Sequence, residues 1–252
     1  MRDVSSVTRS TPVATRPRPK TPSSAAGPLK RYRSSVGRKV VMAVTGAILF
    51  LFVITHMLGD LKAFLGREDF NHYSYWLRSV GAPALPHRVF LSSLEAGLVV
   101  AVILHIWAAV SLARQARRAR PVRYAARPKV HENGYATYVM RYGGVVILLF
   151  VIWHLLDLTF GAVNPKGENA TPYDKVIADF DPARWYITLF YIVAVILVGL
   201  HLRHGLFSAV QTLGWGRQGR YPAIRLVADV TAALVVLGFV AVPVGVTIGV
   251  LK

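Results

Sequence analysis

Residues Val193–Gly216 read VAVILVGLHLRHGLFSAVQTLGWG, an apolar run long enough to enter a bilayer, with His201, Arg203 and His204 in its second half. Ionisable groups at membrane depth are costly and usually have a partner there. For histidine a metal is the obvious partner, because neutral imidazole is a common ligand. One such residue is weak grounds, since many histidines simply hydrogen-bond across a helix bundle. Three upstream apolar runs each hold one more, at His56, His105 and His154.

Five segments have spanning length: 39–61, 88–112, 139–160, 185–213 and 224–251. The chain is 54% hydrophobic, above the roughly 45–50% of soluble domains, which favours a polytopic membrane protein. The expectation is an all-α fold of five transmembrane helices over residues 34–252. Residues 1–33, rich in Ser, Thr, Pro and Arg and without a signal-peptide core, read as a disordered basic tail. A net charge of +18 would suit nucleic acid, but the basic residues sit at the ends of apolar spans and not among stacking aromatics. Nucleic-acid binding is therefore excluded. With no cysteine, so are disulfides, thioether-attached haem and an iron–sulfur cluster held by this chain's own thiolates.

Loop charge sets the orientation. The tail, the link holding Arg114, Arg117, Arg118, Arg120, Arg123, Arg127 and Lys129, and the link holding Arg217, Arg220 and Arg225 belong on the cytoplasmic side. The N-terminus is then inside and the C-terminus outside. Of the outer connections, Asp69–Val80 has helical spacing of aromatics and predicts a short amphipathic helix. Asn164–Pro182, polar and broken by prolines, reads as an exposed connection.

Topology converts histidine positions into depths. Spans one and three run outward, so His56 and His154 lie towards the outer face. Spans two and four run inward, so His105 and His201 lie towards the inner face. Two pairs result, each from two helices, as an axial clamp on a planar porphyrin requires. Gly46, Gly97, Gly143, Gly144 and Gly199 lie in the same spans and would let a macrocycle approach, though membrane glycines more often serve helix contact. His204, about one turn beyond His201, competes as ligand or contacts a propionate or quinone.

SSVGRKVVMAVTG (Ser34–Gly46), THMLGDLKAFLG (Thr55–Gly66) with FNHYSYWL (Phe70–Leu77), VIWHLLDL (Val151–Leu158) and GLHLRHGLFSAVQTLGW (Gly199–Trp215) are four motifs in order. Together they resemble the cytochrome b558-type membrane anchor subunit of succinate dehydrogenase, from about Ser34 to the C-terminus. The resemblance implies a multi-pass subunit of the bacterial cytoplasmic membrane. Its implied partners are a flavoprotein subunit, an iron–sulfur subunit, quinone and the lipid bilayer, with a second small membrane subunit left open. It implies two haems b, with His56 and His154 on the outer one and His105 and His201 on the inner one. The family motif selects His201 over His204, because the ligand precedes the glycine of HG by four.

Electrons would pass from succinate through flavin and iron–sulfur clusters to quinone, usually menaquinone where two haems occur. Quinone reduction needs a proton donor within hydrogen-bonding reach. Candidates are Asp60, His72 and Tyr73 on the outer side and Arg203, His204 and Gln211 on the inner. Haem propionates want cations, for which Arg38, Arg141 and Arg203 are candidates. A haem-free anchor, one sharing a cluster with a thiol-bearing partner, a fumarate reductase anchor and a multi-span transporter remain as alternatives. No dinucleotide fingerprint is present, so dicarboxylate oxidation would belong to the flavin subunit.

Overall fold

A computed structural model of the chain describes residues 35–119, 139–212, 214 and 218–252. The basic tail, most of the arginine-rich link after the second span, and Arg217 lie outside them. Among the described residues the structure is helical throughout, with no strand.

Among the described residues five helices are long and apolar enough to cross a membrane. Helix α1 (Ser35–Asp60) runs on through a tighter turn, Leu61–Leu65, and α2 (Arg67–Ser79) follows as a short helix. Helix α3 (Val89–Arg118) is the second span. The third is α4 (Gly144–His154), flanked by wide turns at Val139–Gly143 and Leu155–Phe160. Helix α5 (Pro172–Asp179) is short; α6 (Trp185–Thr212) and α7 (Tyr221–Thr247) are the last two spans. Their outer surfaces are unlike those of a soluble bundle. Leu51, Ile103, Leu149 and Leu237 are each about 60% exposed, and such residues recur on every span. Water would not tolerate so large an apolar surface, whereas hydrocarbon does.

The first two spans exceed their expected limits at charged ends, whereas the last, expected over 224–251, is Tyr221–Thr247. Helix α1 begins at Ser35 rather than 39, and α3 runs past 112 to Arg118. Hydropathy reports the hydrocarbon-crossing part, while hydrogen bonding carries a helix on into the polar zone. Helix α7 contains Pro243, which removes one backbone donor from the helix ladder, and the Thr247 hydroxyl donates back to the Pro243 carbonyl at 2.9 Å.

Helix α6 lies along α7, and α1 along α3. Gly199 is where α6 and α7 touch: a Cβ there would collide with Val236 Cγ2. Its role is helix contact, not clearance for a macrocycle.

The best-buried core lies at one end of the bundle, where α2, α5 and the C-terminus converge; we call it the capped end, and the opposite one the basic end. Ala63, Phe70, Tyr173, Val176, Ile187 and Val246 belong to this core. The expected helix after Gly66 is present as α2, with Glu68 and Asp69 in its first turn and Arg78 in its last, as the helix dipole favours. The Asn164–Pro182 connection is corrected: it is not simply exposed. Thr171 caps α5 by accepting from the Asp174 N–H, and Pro172 opens the helix. Tyr173, Val176 and Phe180 then fall on one buried face. The Tyr173 hydroxyl donates to the Lys252 carbonyl at 3.1 Å, its N–H donates to Asn71 Oδ1 at 3.2 Å, and Arg67 pairs with Asp174 at 2.6 Å.

Candidate functional site

The structure brings the four membrane histidines together as two pairs. His56 of α1 and His154 of α4 face each other with ring centroids 5.8 Å apart. His105 of α3 and His201 of α6 do so at 6.3 Å. An imidazole binds a metal through one ring nitrogen at about 2.0–2.1 Å, so one ion shared by two such rings would hold their centroids roughly 6 Å apart. Both pairs are near that separation. Among the described residues no group of three or more His, Cys, Asp or Glu side chains converges, so an all-protein metal cage finds no support. An axial clamp needs only two ligands.

The two pairs lie at different levels. Thr45 touches His105, and His56 lies eleven residues further along the same helix, about 16 Å by helical rise. Gly144 abuts His201, and His154 lies ten residues further along α4, about 15 Å. Two independent helices give the same separation.

Local chemistry suits ligation. The Thr45 hydroxyl donates to the Val41 carbonyl at 2.7 Å, and its oxygen lies 3.2 Å from His105 Nδ1. With its proton committed to Val41, Thr45 accepts from His105 Nδ1–H. That fixes the tautomer and leaves Nε2 with its lone pair. His56 Nδ1 lies 3.8 Å from Asp60 Oδ1 one turn on, too long for a hydrogen bond but close enough for the carboxylate to act on the ring electrostatically. The Nδ1 atoms of His154 and His201 are buried without a hydrogen-bond partner among the described residues. Gly46 and Gly144 place bare backbone beside His105 and His201: a Cβ would lie 3.4 and 3.9 Å from the respective Cε1 atoms. Phe52, Phe150, Tyr191 and Phe239 ring the His56–His154 pair with apolar surface. These features fit a flat metal macrocycle held between imidazoles.

The remaining expected residues fall less neatly. Arg203 forms an ion pair with Asp229 of α7, which its reading as a propionate or quinone partner did not foresee. His204 is partly buried beside it, on the basic side of His201. Arg38 reaches Gln115 of α3 at 3.5 Å, Arg141 is exposed, and Gln211 is exposed near the end of α6. At the capped end His72 is exposed. Tyr73 lies against Gly59 of α1, with Lys62 Nζ 5.2 Å from its ring centre and Trp76 stacked on it at 6.0 Å. Asp60 and Tyr73 are thus on adjoining elements, whereas nothing brings His72 to them.

Sequence reading missed a second polar centre beside the first. Asp157, in the wide turn one turn beyond His154, is fully buried. Its Oδ1 accepts from Asn164 Nδ2 at 3.1 Å and its Oδ2 from the Tyr191 hydroxyl at 3.0 Å. Asp179, also fully buried, ends α5, and Arg184 Nη1 approaches its Oδ1 to 2.9 Å. Burial first, then the hydrogen bond and charge of Asp157, push Asp179 up to about 8, against the pull of Arg184. The signal in the sequence was one carboxylate inside the apolar run VIWHLLDLTF.

Compared with known families, characterised proteins and solved structures, the chain matches none.

Proposed function

We propose that the chain is the membrane-anchoring cytochrome b subunit of a succinate:quinone oxidoreductase, holding two haems b in series between an iron–sulfur subunit and a quinone, menaquinone by the resemblance. One observation carries the reading: two histidine pairs, each drawn from two helices, at levels about 15 Å apart. Structural histidines have no need to face each other across helices twice over.

When bound, such a haem accepts and passes on one electron at a time. Everything else belongs to this chain. His105 and His201 hold the inner group near the basic end, with Thr45 orienting His105. His56 and His154 hold the outer one near the capped end, and their phenylalanine neighbours exclude water, which tunes potential. Arg141 and Arg38, at the basic end, are placed for propionates; Arg203 would have to share itself with Asp229. Asp60 and Tyr73 are the side chains of the capped end best placed for a quinone.

The basic end is cytoplasmic in this reading, because Arg114, Arg117 and Arg118 close α3 there. A flavoprotein and an iron–sulfur subunit dock on that side. Since the chain lacks cysteine, single introduced thiols report topology cleanly. A membrane-impermeant maleimide applied to intact cells should label Lys166→Cys on the capped end and leave Arg117→Cys unmodified until the membrane is opened. The reverse pattern would invert the bundle.

The function itself is tested by purifying the complex and recording a dithionite-reduced minus oxidised spectrum with pyridine haemochrome quantification. The expected result is two haems b per chain, reduced on adding succinate. A haem-free complex would leave an anchor whose histidines are structural. Iron without haem would point to a cluster sharing ligands with a thiol-bearing partner.

A further inference from the structure

Asp157 and Asp179 take no part in holding the haems, yet among the described residues they are the two carboxyl groups buried to complete inaccessibility. Burial beside Asp157 disfavours the charged form of Asp179, so Asp179 retains a proton that a solvated aspartate would release. The groups facing Asp179 come from three elements. Asp157 belongs to the wide turn after α4, Arg184 and Tyr191 to the start of the fourth span, and Lys175 sits one turn back on α5 with its ammonium 3.4 Å from the Thr159 carbonyl. Neither Asp179 oxygen has a well-aligned hydrogen-bond donor among the described residues.

The surroundings give the pair two openings. Towards water, Arg184 lines a pocket of about 480 Å³ at the capped end, together with Arg67, Lys166, Asp174 and Asp181. The guanidinium, one-fifth exposed, is all that this pocket shows of the ion pair beneath it. Towards the bundle, the Tyr191 hydroxyl bonded to Asp157 is carried on a ring lying edge-on to His154, centroids 6.1 Å apart. Water-facing pocket, arginine, acid pair, tyrosine and histidine follow one another.

We propose that Asp157 and Asp179 form a proton store for the His56–His154 end of the bundle, filled from the pocket past Arg184 and emptied past Tyr191. The inference rests on the quinone oxidoreductase reading. Reducing a quinone to its quinol consumes two electrons, supplied through the iron–sulfur subunit, and two protons. Each proton leaves the carboxyl of Asp179 by way of Asp157, and the carboxylate left behind regains one from the outer aqueous phase. Two such turns complete one quinol. Asp179 acts through Asp157, so it is a positioning residue for protons and not one that touches the quinone.

A purely structural role, fastening α5 to the bundle, would be met by asparagine, and that is the basis of the test. Haem content of the purified complex is measured first; the midpoint potential of each haem is then followed against pH in wild type, Asp179→Asn and Arg184→Gln. In wild type one haem's potential should change with pH through the region of pH 8, where Asp179 gives up its proton. Asp179→Asn should abolish that change while keeping two haems and leaving the other potential unaltered. Arg184→Gln, which removes the cation favouring the carboxylate, should move the change to higher pH. Asp179→Asn with both haems present and the wild-type pH dependence would overturn the proposal. If Asp179→Asn does not assemble, Arg184→Gln decides alone, and an unmoved profile overturns it. A complex without haem would end the preceding reading and this one with it, a failure visible before any titration.

Discussion

His201→Ala is expected to halve the haem content of the purified complex, from two haems b per chain to one, with the remaining haem keeping its wild-type spectrum. His201 and His105 face each other at 6.3 Å on separate helices, so removing one imidazole leaves a single axial ligand and an open side. The other pair lies about 15 Å away along the bundle and shares neither histidine. His154→Ala should give the mirror result, losing the outer haem and sparing the inner one. Because the two losses come from different pairs, the spectra of the variants should sum to that of the wild type. His204→Ala is the control. It sits three residues after His201, partly buried beside Arg203, and should retain both haems. Measuring haemochrome against protein, with low-temperature spectra to separate the two bands, decides the matter. Retention of both haems in His201→Ala would pass the ligand role to His204, and retention in all three variants would make the histidines structural.

The spans were legible because crossing a bilayer demands some 20 apolar residues in a row, and no other constraint writes so long a signal. The histidine pairs were legible for a related reason: alternating span direction converts position along the chain into depth. The acid pair was hidden by its long-range assembly. Asp157, Asn164, Asp179, Arg184 and Tyr191 come from the end of one span, a loop, a short helix and the start of the next span. Loop composition around Asp179 is polar, which suggests solvent. What places it inside is the apolar face of Tyr173, Val176 and Phe180 behind a Thr171–Pro172 start, a pattern of only two turns. The Arg203–Asp229 pair was equally invisible, since pairing across helices depends on rotation about their axes, which hydropathy does not record.

Gly161→Ala should be the most destabilising glycine substitution at the capped end, costing on the order of 3 kcal/mol. Gly161 closes the wide turn after α4 with φ +79°, where an alanine is strained by about 1–2 kcal/mol. A Cβ there would also lie 2.6 Å from the Gly167 carbonyl oxygen and 2.8 Å from Lys175 Nζ. The lysine tip can swing away, but the carbonyl is backbone and can retreat only by moving the 164–167 turn. That turn is anchored by Asn164, whose amide donates to Asp157 at 3.1 Å and to the Lys175 carbonyl at 3.2 Å, all of it buried. Displacing it leaves a buried carboxylate oxygen short of a donor, which adds about 1–3 kcal/mol. Gly167→Ala separates the two contributions, because Gly167 also has a positive φ of +75° yet nothing within 4 Å of a built Cβ. It should show the backbone strain alone, about 1 kcal/mol. Unfolding midpoints of the purified complex in a denaturing detergent would rank wild type above Gly167→Ala, and Gly167→Ala well above Gly161→Ala. Equal losses in the two variants would mean that the turn yields freely, and that Asn164 does not hold Asp157 in the way its hydrogen bonds suggest.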